Sequence, residues 1–359
     1  MSTLKVNSIT DATGGSNAQL YGVASPPNSM GFRNRILNGG MVIDQRNAGA
    51  SVTPNNSYTL DRWVVTNTQT SKLTVQQSTV APTGFTNSLL VTSSSAYSVL
   101  TGDTFLLAQR VEGFNIADFA WGTASAATIT ISFWVRSSLT GTFGGALINS
   151  ADNRNYVFSY TISAANTWEQ KSVTIAGDTS GTWVTNSGRG VELRFGLGSG
   201  STFTGTAGSW GATNYVQPTG STSVVGTNGA TFYITGVQLE AGTVASAFER
   251  RDYGRELMMC QRYYWESSKG LSGSVASTTT AVFCGKHPVT MRAVPSTSGT
   301  AIEIYQLTAA GSKTQSSFSA NISVSDTNVF AAECGNFSGL TTYYPVGMNS
   351  GKVAFSAEL

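Results

Sequence analysis

The sequence predicts a mainly β protein: a jelly-roll antiparallel β-sandwich, then one short α-helix and a small C-terminal β-rich domain, with an extended N-terminal segment in front. Three observations predict it. Only 11% of the 359 residues are charged while 39 are Gly, the composition of a turn-rich chain with a polar, largely uncharged surface. Short runs of alternating apolar and polar residues recur from Leu60 to Leu239 and again from Thr280 to Ala357, punctuated by Gly, Asn and Ser. Apolar residues fall at convincing helical spacing once, between Tyr253 and Trp265. A hydrophobic share of 40%, with 17 Phe, 13 Tyr and 7 Trp, supplies core material and argues against a disordered chain.

Residues 1–30 stand apart. Leu4, Val6 and Ile9 alternate with polar neighbours up to a turn at Asp11 to Gly15, and an extended linker through Pro26-Pro27 follows. A piece this short buries no core of its own, so it is expected to pack on copies of itself or on another protein; a frayed end is the alternative.

Residues 31–249 form the expected sandwich. Nine strands are predicted: Leu60 to Val65, Leu73 to Gln77, Ser88 to Val91, Thr104 to Val111, Thr128 to Arg136, Asn155 to Ile162, Glu169 to Ile175, Val191 to Gly196 and Phe232 to Leu239. The number suits a jelly roll better than a propeller, because no repeat recurs at a fixed period. The clearest core strand sets Ile129, Ile131, Phe133 and Val135 against Thr128, Thr130, Ser132 and Trp134. Between Leu197 and Val225 a long Gly/Ser/Thr-rich loop carries Trp210 and Tyr215; such a loop is functional or disordered, and its aromatics either stack on a sugar ring or plug the loop onto the sandwich.

Residues 250–359 open with a helix expected over about Tyr253 to Trp265, with Asp252 as N-cap and Leu257, Met258, Gln261 and Tyr264 on one face. Strands are predicted at Thr280 to Cys284, Ala301 to Leu307, Ser317 to Ser323, Asn328 to Cys334 and Val353 to Ala357. Pro288 and Pro295 bracket an edge strand or a loop.

The chemistry-bearing residues are sparse. A net charge of +2, with 21 basic residues dispersed against 19 acids, gives no electrostatic footprint for nucleic acid, and nothing is long enough to span a bilayer. Low charge density leaves neutral sugars as a compatible ligand class. His287 is the sole histidine and no GxSxG precedes it, so a Ser-His-Asp hydrolase is not expected and His287 reads as a surface residue. Cys260, Cys284 and Cys334 have no ligand spacing and read as buried small residues rather than a disulfide, which agrees with assembly in a reducing cytoplasm; no secretory signal is recognised before residue 30. A glycosidase would need two facing carboxylates; Asp103, Glu112, Asp118, Asp152, Glu169, Asp178 and Glu192 are candidates that spacing does not pair. Arg33, Arg35, Arg46 and Arg62 cluster near Asp44 and Asp61 and read as stem packing and turn hydrogen bonds that pin the first strands, with a ligand-binding or inter-subunit ion-pair patch as the alternative; Arg250, Arg251, Arg255 and Arg262 lie near Glu249, Asp252 and Glu256 and read as solvated i,i+4 pairs or as clamps between domains or chains around the helix.

Three stretches carry a resemblance: GVQLEAG followed by AFERRDYGRELMMCQRYY, the segment from Asn34 to Trp63, and HPVTMRAVPS from His287 to Ser296. In this order they resemble bacteriophage tail fibres and related virion proteins, in which a jelly roll like a carbohydrate-binding module precedes a short helix and a small β-domain. The resemblance implies a non-enzymatic, homotrimeric fibre located in the virion. Residues 1–30, with Leu4, Val6 and Ile9, would grip other tail or adaptor proteins. Host-surface glycan or lipopolysaccharide would be met by aromatic-bearing loops, with Trp183, Trp210, Tyr215, Tyr343 and Tyr344 as candidate ligand residues. No cofactor is expected beyond a structural calcium, for which resemblance alone nominates Asp44 and Glu240. A capsid fibre or decoration protein and a polysaccharide depolymerase are the alternatives.

Overall fold

A computed structural model describes residues 32–267, 269–306 and 311–359; the expected strand of Leu4, Val6 and Ile9 lies outside them. Strands are numbered β1 to β24 along the chain. The larger domain is two antiparallel sheets face to face. One has seven strands in the order β1 (Ser57–Leu60), β2 (Trp63–Asn67), β5 (Thr104–Glu112), β10 (Arg189–Ser199), β7 (Gly141–Asn149), β8 (Asn155–Ile162) and β12 (Trp210–Gly211). The other has five: β3 (Leu73–Ser78), β4 (Ser88–Ser93), β14 (Thr231–Ala241), β6 (Ile129–Ser137) and β9 (Glu169–Ile175). This is the jelly-roll β-sandwich, and its core follows from period-two alternation. Ile129, Ile131, Phe133 and Val135 of β6 point inward to meet Phe105, Leu107, Leu193 and Phe195 of the opposite sheet, all of them inaccessible to solvent.

In the sandwich Leu60 to Val65 and β7 depart from expectation, and in the C-terminal region the strand expected at Ser317 to Ser323 runs from Ala320 to Ser325 and the strands over Ser272–Ser277, Ser296–Gly299, Ser312–Thr314 and Pro345–Ser350 were not expected. Leu60 to Val65 is a hairpin, because Arg62 takes φ +70° in a tight turn and Asp61, 1% exposed, accepts the Gln45 backbone N–H at 2.7 Å. The Gly-rich β7 was not among the expected strands. Both its faces are covered, so it shows no apolar alternation, and Gly145 leaves no room for a Cβ beside the Arg194 carbonyl.

The C-terminal domain adds a three-stranded sheet, β15 (Tyr264–Ser267), β24 (Val353–Ser356) and β18 (Ser296–Gly299). Beside it lies a seven-stranded sheet, β20 (Ser312–Thr314), β19 (Glu303–Gln306), β23 (Pro345–Ser350), β16 (Ser272–Ser277), β17 (Thr280–Lys286), β22 (Val329–Cys334) and β21 (Ala320–Ser325). The segment between Pro288 and Pro295 is loop. Helix α1 (Tyr253–Gln261) starts as expected, with Asp252 accepting the Arg255 backbone N–H at 2.9 Å, but ends four residues earlier. Tyr264 and Trp265 instead join β15, where pairing with Ser356 and Phe355 outweighs helical spacing. The buried stripe of α1 is Glu256 and Cys260, rather than Leu257, Met258 and Gln261; the Glu256 carboxylate accepts the backbone N–H of Asn38. Of the cysteines, Cys260 and Cys334 are buried, and burial pushes the Cys334 thiol up to about 12, whereas Cys284 is exposed.

His287 is 6% exposed, not a surface residue. Its Nδ1 accepts the Trp265 Nε1–H at 3.0 Å, and its ring lies 5.3 to 5.7 Å from those of Trp265, Phe330 and Phe355. That bond requires a neutral ring, and burial holds the pKa below 6.5. The unfolded chain therefore takes up this proton at higher pH than the folded one. Stability from His287 is complete above about pH 6.5 and falls as pH drops towards the folded pKa, by at most about 1.4 kcal/mol per pH unit. Urea titrations between pH 7.5 and 5 are expected to show this slope, and His287→Gln to flatten it.

Candidate functional site

Alternation puts Leu106, Ala108, Arg110 and Glu112 of β5 and Glu192, Arg194 and Gly196 of β10 on the outer face of the seven-stranded sheet, opposite the core. The register sets Glu192 beside Arg110, and Arg194 beside Ala108. Two bodies cover parts of this face.

The first is the chain from Phe203 to Thr222. Its path is held by a two-residue parallel pairing of β11 (Thr204–Gly205) with β13 (Gln217–Pro218), and it lies directly on the sheet. A Cβ on Gly196 would sit 2.0 Å from Gln217 Oε1, and one on Gly144 2.2 Å from Pro218, so only glycine admits the loop there. Val216 and Phe203 then pack on Leu106 and Val64.

The second is the C-terminal domain. Glu112, 2% exposed, accepts Arg262 Nη2–H at 2.8 Å and the Tyr263 hydroxyl at 2.6 Å. Arg62, 1% exposed, stacks 3.6 Å from the Tyr263 ring centre, donates to the Arg110 carbonyl at 2.5 Å and pairs with Glu358. Arg46 stacks 3.5 Å over Tyr264 and bonds Glu358 at 2.8 Å, while Arg292 donates to the Ser187 carbonyl at 2.9 Å. Of the arginines near Asp44 and Asp61, Arg46 and Arg62 thus join the two domains, while Arg33 and Arg35 bond Glu240 and Asp118 within the sandwich.

On this face, against the loop, lies a cleft of about 240 Å³. Its lining combines the apolar Leu106, Phe203 and Val216 with Thr66 and Thr104 and with the polar Arg110, Asp152, Arg189, Glu192, Arg194 and Asn214. Glu192 is the hub of the polar lining, bonded by Arg110 Nε at 2.9 Å, Arg189 Nη1 at 2.8 Å and Arg194 Nε at 2.6 Å. Burial by itself would raise its pKa, but the Arg194, Arg110 and Arg189 guanidiniums outweigh it and hold the carboxyl at about 2. Asp152 accepts Arg189 Nη2–H at 2.7 Å, and Arg194 Nη1–H is bonded to Asn214 Oδ1 at 2.6 Å. The cleft therefore combines planar donors and acceptors held by ion pairs with apolar side chains, in a volume smaller than the roughly 300–1,000 Å³ of most small-molecule pockets.

None of the five aromatic residues nominated from sequence lines this cleft. Trp183 is 8% exposed and donates Nε1–H to Asp178 at 3.1 Å. Trp210 donates to the Ala176 carbonyl at 2.8 Å and packs edge-on against Trp121, Trp183 and Tyr156, with ring centres 5.3 to 5.5 Å apart. Both indoles fasten the loop to the sandwich, since their rings and N–H groups are taken up by protein. Tyr215 lies half-buried over Gly205, next in sequence to Asn214. Tyr343, 90% exposed at φ +69°, and Tyr344 sit in the turn before β23 of the C-terminal domain. Arg110, Arg189, Arg194 and Asn214 were not singled out from sequence; the one available signal was charge at i, i+2 within two otherwise apolar strands.

Each candidate carboxylate has a protein partner. Asp103 accepts the Tyr97 hydroxyl at 2.6 Å, Asp178 is bidentate to Arg154 at 2.6 and 2.8 Å, Glu169 pairs with Lys171 and Asp118 with Arg35, both at 2.6 Å. Asp44 and Glu240, nominated for calcium, both have partners within the protein. Asp44 caps the Asn47 and Gly49 N–H groups at 3.0 and 2.7 Å, and Glu240 holds Ser246 and Gln238 beside the Arg33 guanidinium at 3.4 Å. Among the described residues no three His, Cys, Asp or Glu side chains converge as a metal site.

No protein-family model matches the chain, and no curated protein matches it. Among solved structures it is similar to the enzymatically active domain of tailspike protein 4 from bacteriophage CBA120, at 14% identity and TM-score 0.34, over 58% of this chain and 22% of that one. It is also similar to the module TmCBM61, solved with β-1,4-galactotriose, at 11% identity and TM-score 0.31, over 58% of this chain and 99% of that one. A third is the family 11 carbohydrate-binding module of cellulase Lic26A-Cel5E from Clostridium thermocellum, at 12% identity and TM-score 0.28, over 55% and 99%.

Proposed function

We propose that this chain is a non-catalytic, homotrimeric bacteriophage tail fibre component that binds a glycan of the host surface in the cleft beside the 203–222 loop, and joins the virion through residues 1–30. The observation that carries the glycan reading is the composition of the cleft. Leu106, Phe203 and Val216 line it together with guanidinium, carboxylate and amide groups, a mixture that suits a sugar ring with one apolar face and a rim of hydroxyls. The non-catalytic reading is supported by Glu192, whose carboxyl at about 2 stays ionised and cannot serve as a general acid, and by the ion pairs that hold Asp118, Asp178 and Glu169. The sequence resemblance supports the attachment and trimer.

Calorimetry with neutral and uronate-containing bacterial polysaccharide fragments tests the reading. Asn214→Ala is expected to weaken binding about fivefold, a net hydrogen bond of roughly 1 kcal/mol. Arg194→Ala is expected to weaken it ten- to a hundredfold, roughly the 1.5–3 kcal/mol of a charged hydrogen bond. A wild-type chain that binds none of the fragments, or an Arg194→Ala variant that binds unchanged, overturns the reading. Release of reducing ends would overturn the non-catalytic part, and antibody labelling of virions is expected to mark tails rather than heads.

A further inference from the structure

We propose that docking of the C-terminal domain sets the shape and affinity of the cleft, with Arg110 as the positioning residue that links the two. This rests on the glycan-binding reading of the cleft.

The link is a short set of bonds. Arg110 Nε–H holds Glu192 at 2.9 Å on the cleft wall, while its Nη1–H is given to the Leu359 carbonyl, which also accepts the Tyr58 hydroxyl at 2.9 Å. Its own carbonyl is held by Arg62, the residue that grips Glu358. One side chain and one peptide unit thus touch both the ligand wall and the second domain. The other flank of Glu192 is held in the same manner. Arg292 of the C-terminal domain bonds the Ser187 carbonyl, two residues before Arg189, which in turn bonds Glu192. Glu112, next on the outward face of β5 after Arg110, is bonded by Arg262 and Tyr263.

With the domain undocked, Arg110 loses an acceptor and the restraint on its carbonyl, and its long side chain regains rotamer freedom. Glu192 then draws on Arg189 and Arg194 alone, and the donors facing the cleft are no longer fixed. Pre-organised donors bind more tightly than mobile ones, so affinity falls. By linkage, a bound glycan strengthens domain docking by the same factor.

Arg292→Ala and Arg262→Ala test the coupling, because neither residue lines the cleft. Both variants are expected to bind the best polysaccharide fragment about five- to a hundredfold more weakly than wild type, the usual range of coupling between sites. A second readout needs no glycan: amide hydrogen exchange over residues 187–194 and 108–112 is expected to accelerate in both variants while β6 and β14 keep wild-type protection. Unchanged exchange in both variants overturns the coupling whatever binds. Affinity lost in Asn214→Ala but unchanged in Arg292→Ala and Arg262→Ala overturns the coupling and leaves the glycan reading standing. A wild-type chain that binds no fragment overturns both.

Discussion

Replacing Arg62 with alanine is expected to lower the free energy of unfolding by about 3–5 kcal/mol, the usual cost of removing one partner of a buried ion pair. The guanidinium is 1% exposed and meets the Tyr263 ring, the Glu358 carboxylate and the Arg110 carbonyl at once. Alanine strands Glu358, 7% exposed, with Arg46 as its remaining salt-bridge partner, and leaves a cavity under Tyr263. Guanidinium titration followed by intrinsic fluorescence measures the loss. Pairing Arg62→Met with Glu358→Leu removes both charges and is expected to recover much of the stability, because apolar residues of similar volume often replace a buried pair at little cost. A loss below about 1 kcal/mol for Arg62→Ala would mean that the two domains do not depend on this clamp.

Phe133→Ala is expected to cost about 3–5 kcal/mol through the cavity it opens at the centre of the sandwich. Phe133 projects from the five-stranded sheet, has no solvent exposure, and meets Tyr160 and Phe195 of the facing sheet edge-on, with ring centres 4.9 and 5.1 Å apart. It is a direct tie between the two layers. The control is Phe114→Ala: Phe114 is 62% exposed, and its loss is expected to stay within about 0.5 kcal/mol. Equal effects at the two positions would contradict the sandwich arrangement.

The layers were legible because burial of one face writes itself into every second residue, as at Ile129, Ile131, Phe133 and Val135. Where both faces are covered the code disappears, which is why β7 and its glycines gave no signal. The helix was legible in its start at Asp252 but not in its end, since the competitor for Tyr264 and Trp265 is a strand some ninety residues further along the chain. The cleft was the least legible part. Arg110, Glu192 and Arg194 occupy positions that a one-sheet reading assigns to water, and only the return of the 203–222 chain onto that face makes them part of a cleft. Aromatic residues on a loop drew attention for the opposite reason: Trp210 stands out in a Gly/Ser run, yet its ring is the plug that lets the loop lie down.

The C-terminal domain leaves the sandwich through the short stretch before α1 and comes back to it at Glu358, so it is fastened at both ends of its chain. A tensile load on the far end of that domain is therefore divided between a covalent tether and the arginine contacts. Parting the two domains therefore means giving up the Arg46, Arg62, Arg262 and Arg292 contacts as well as straightening the stretch before α1.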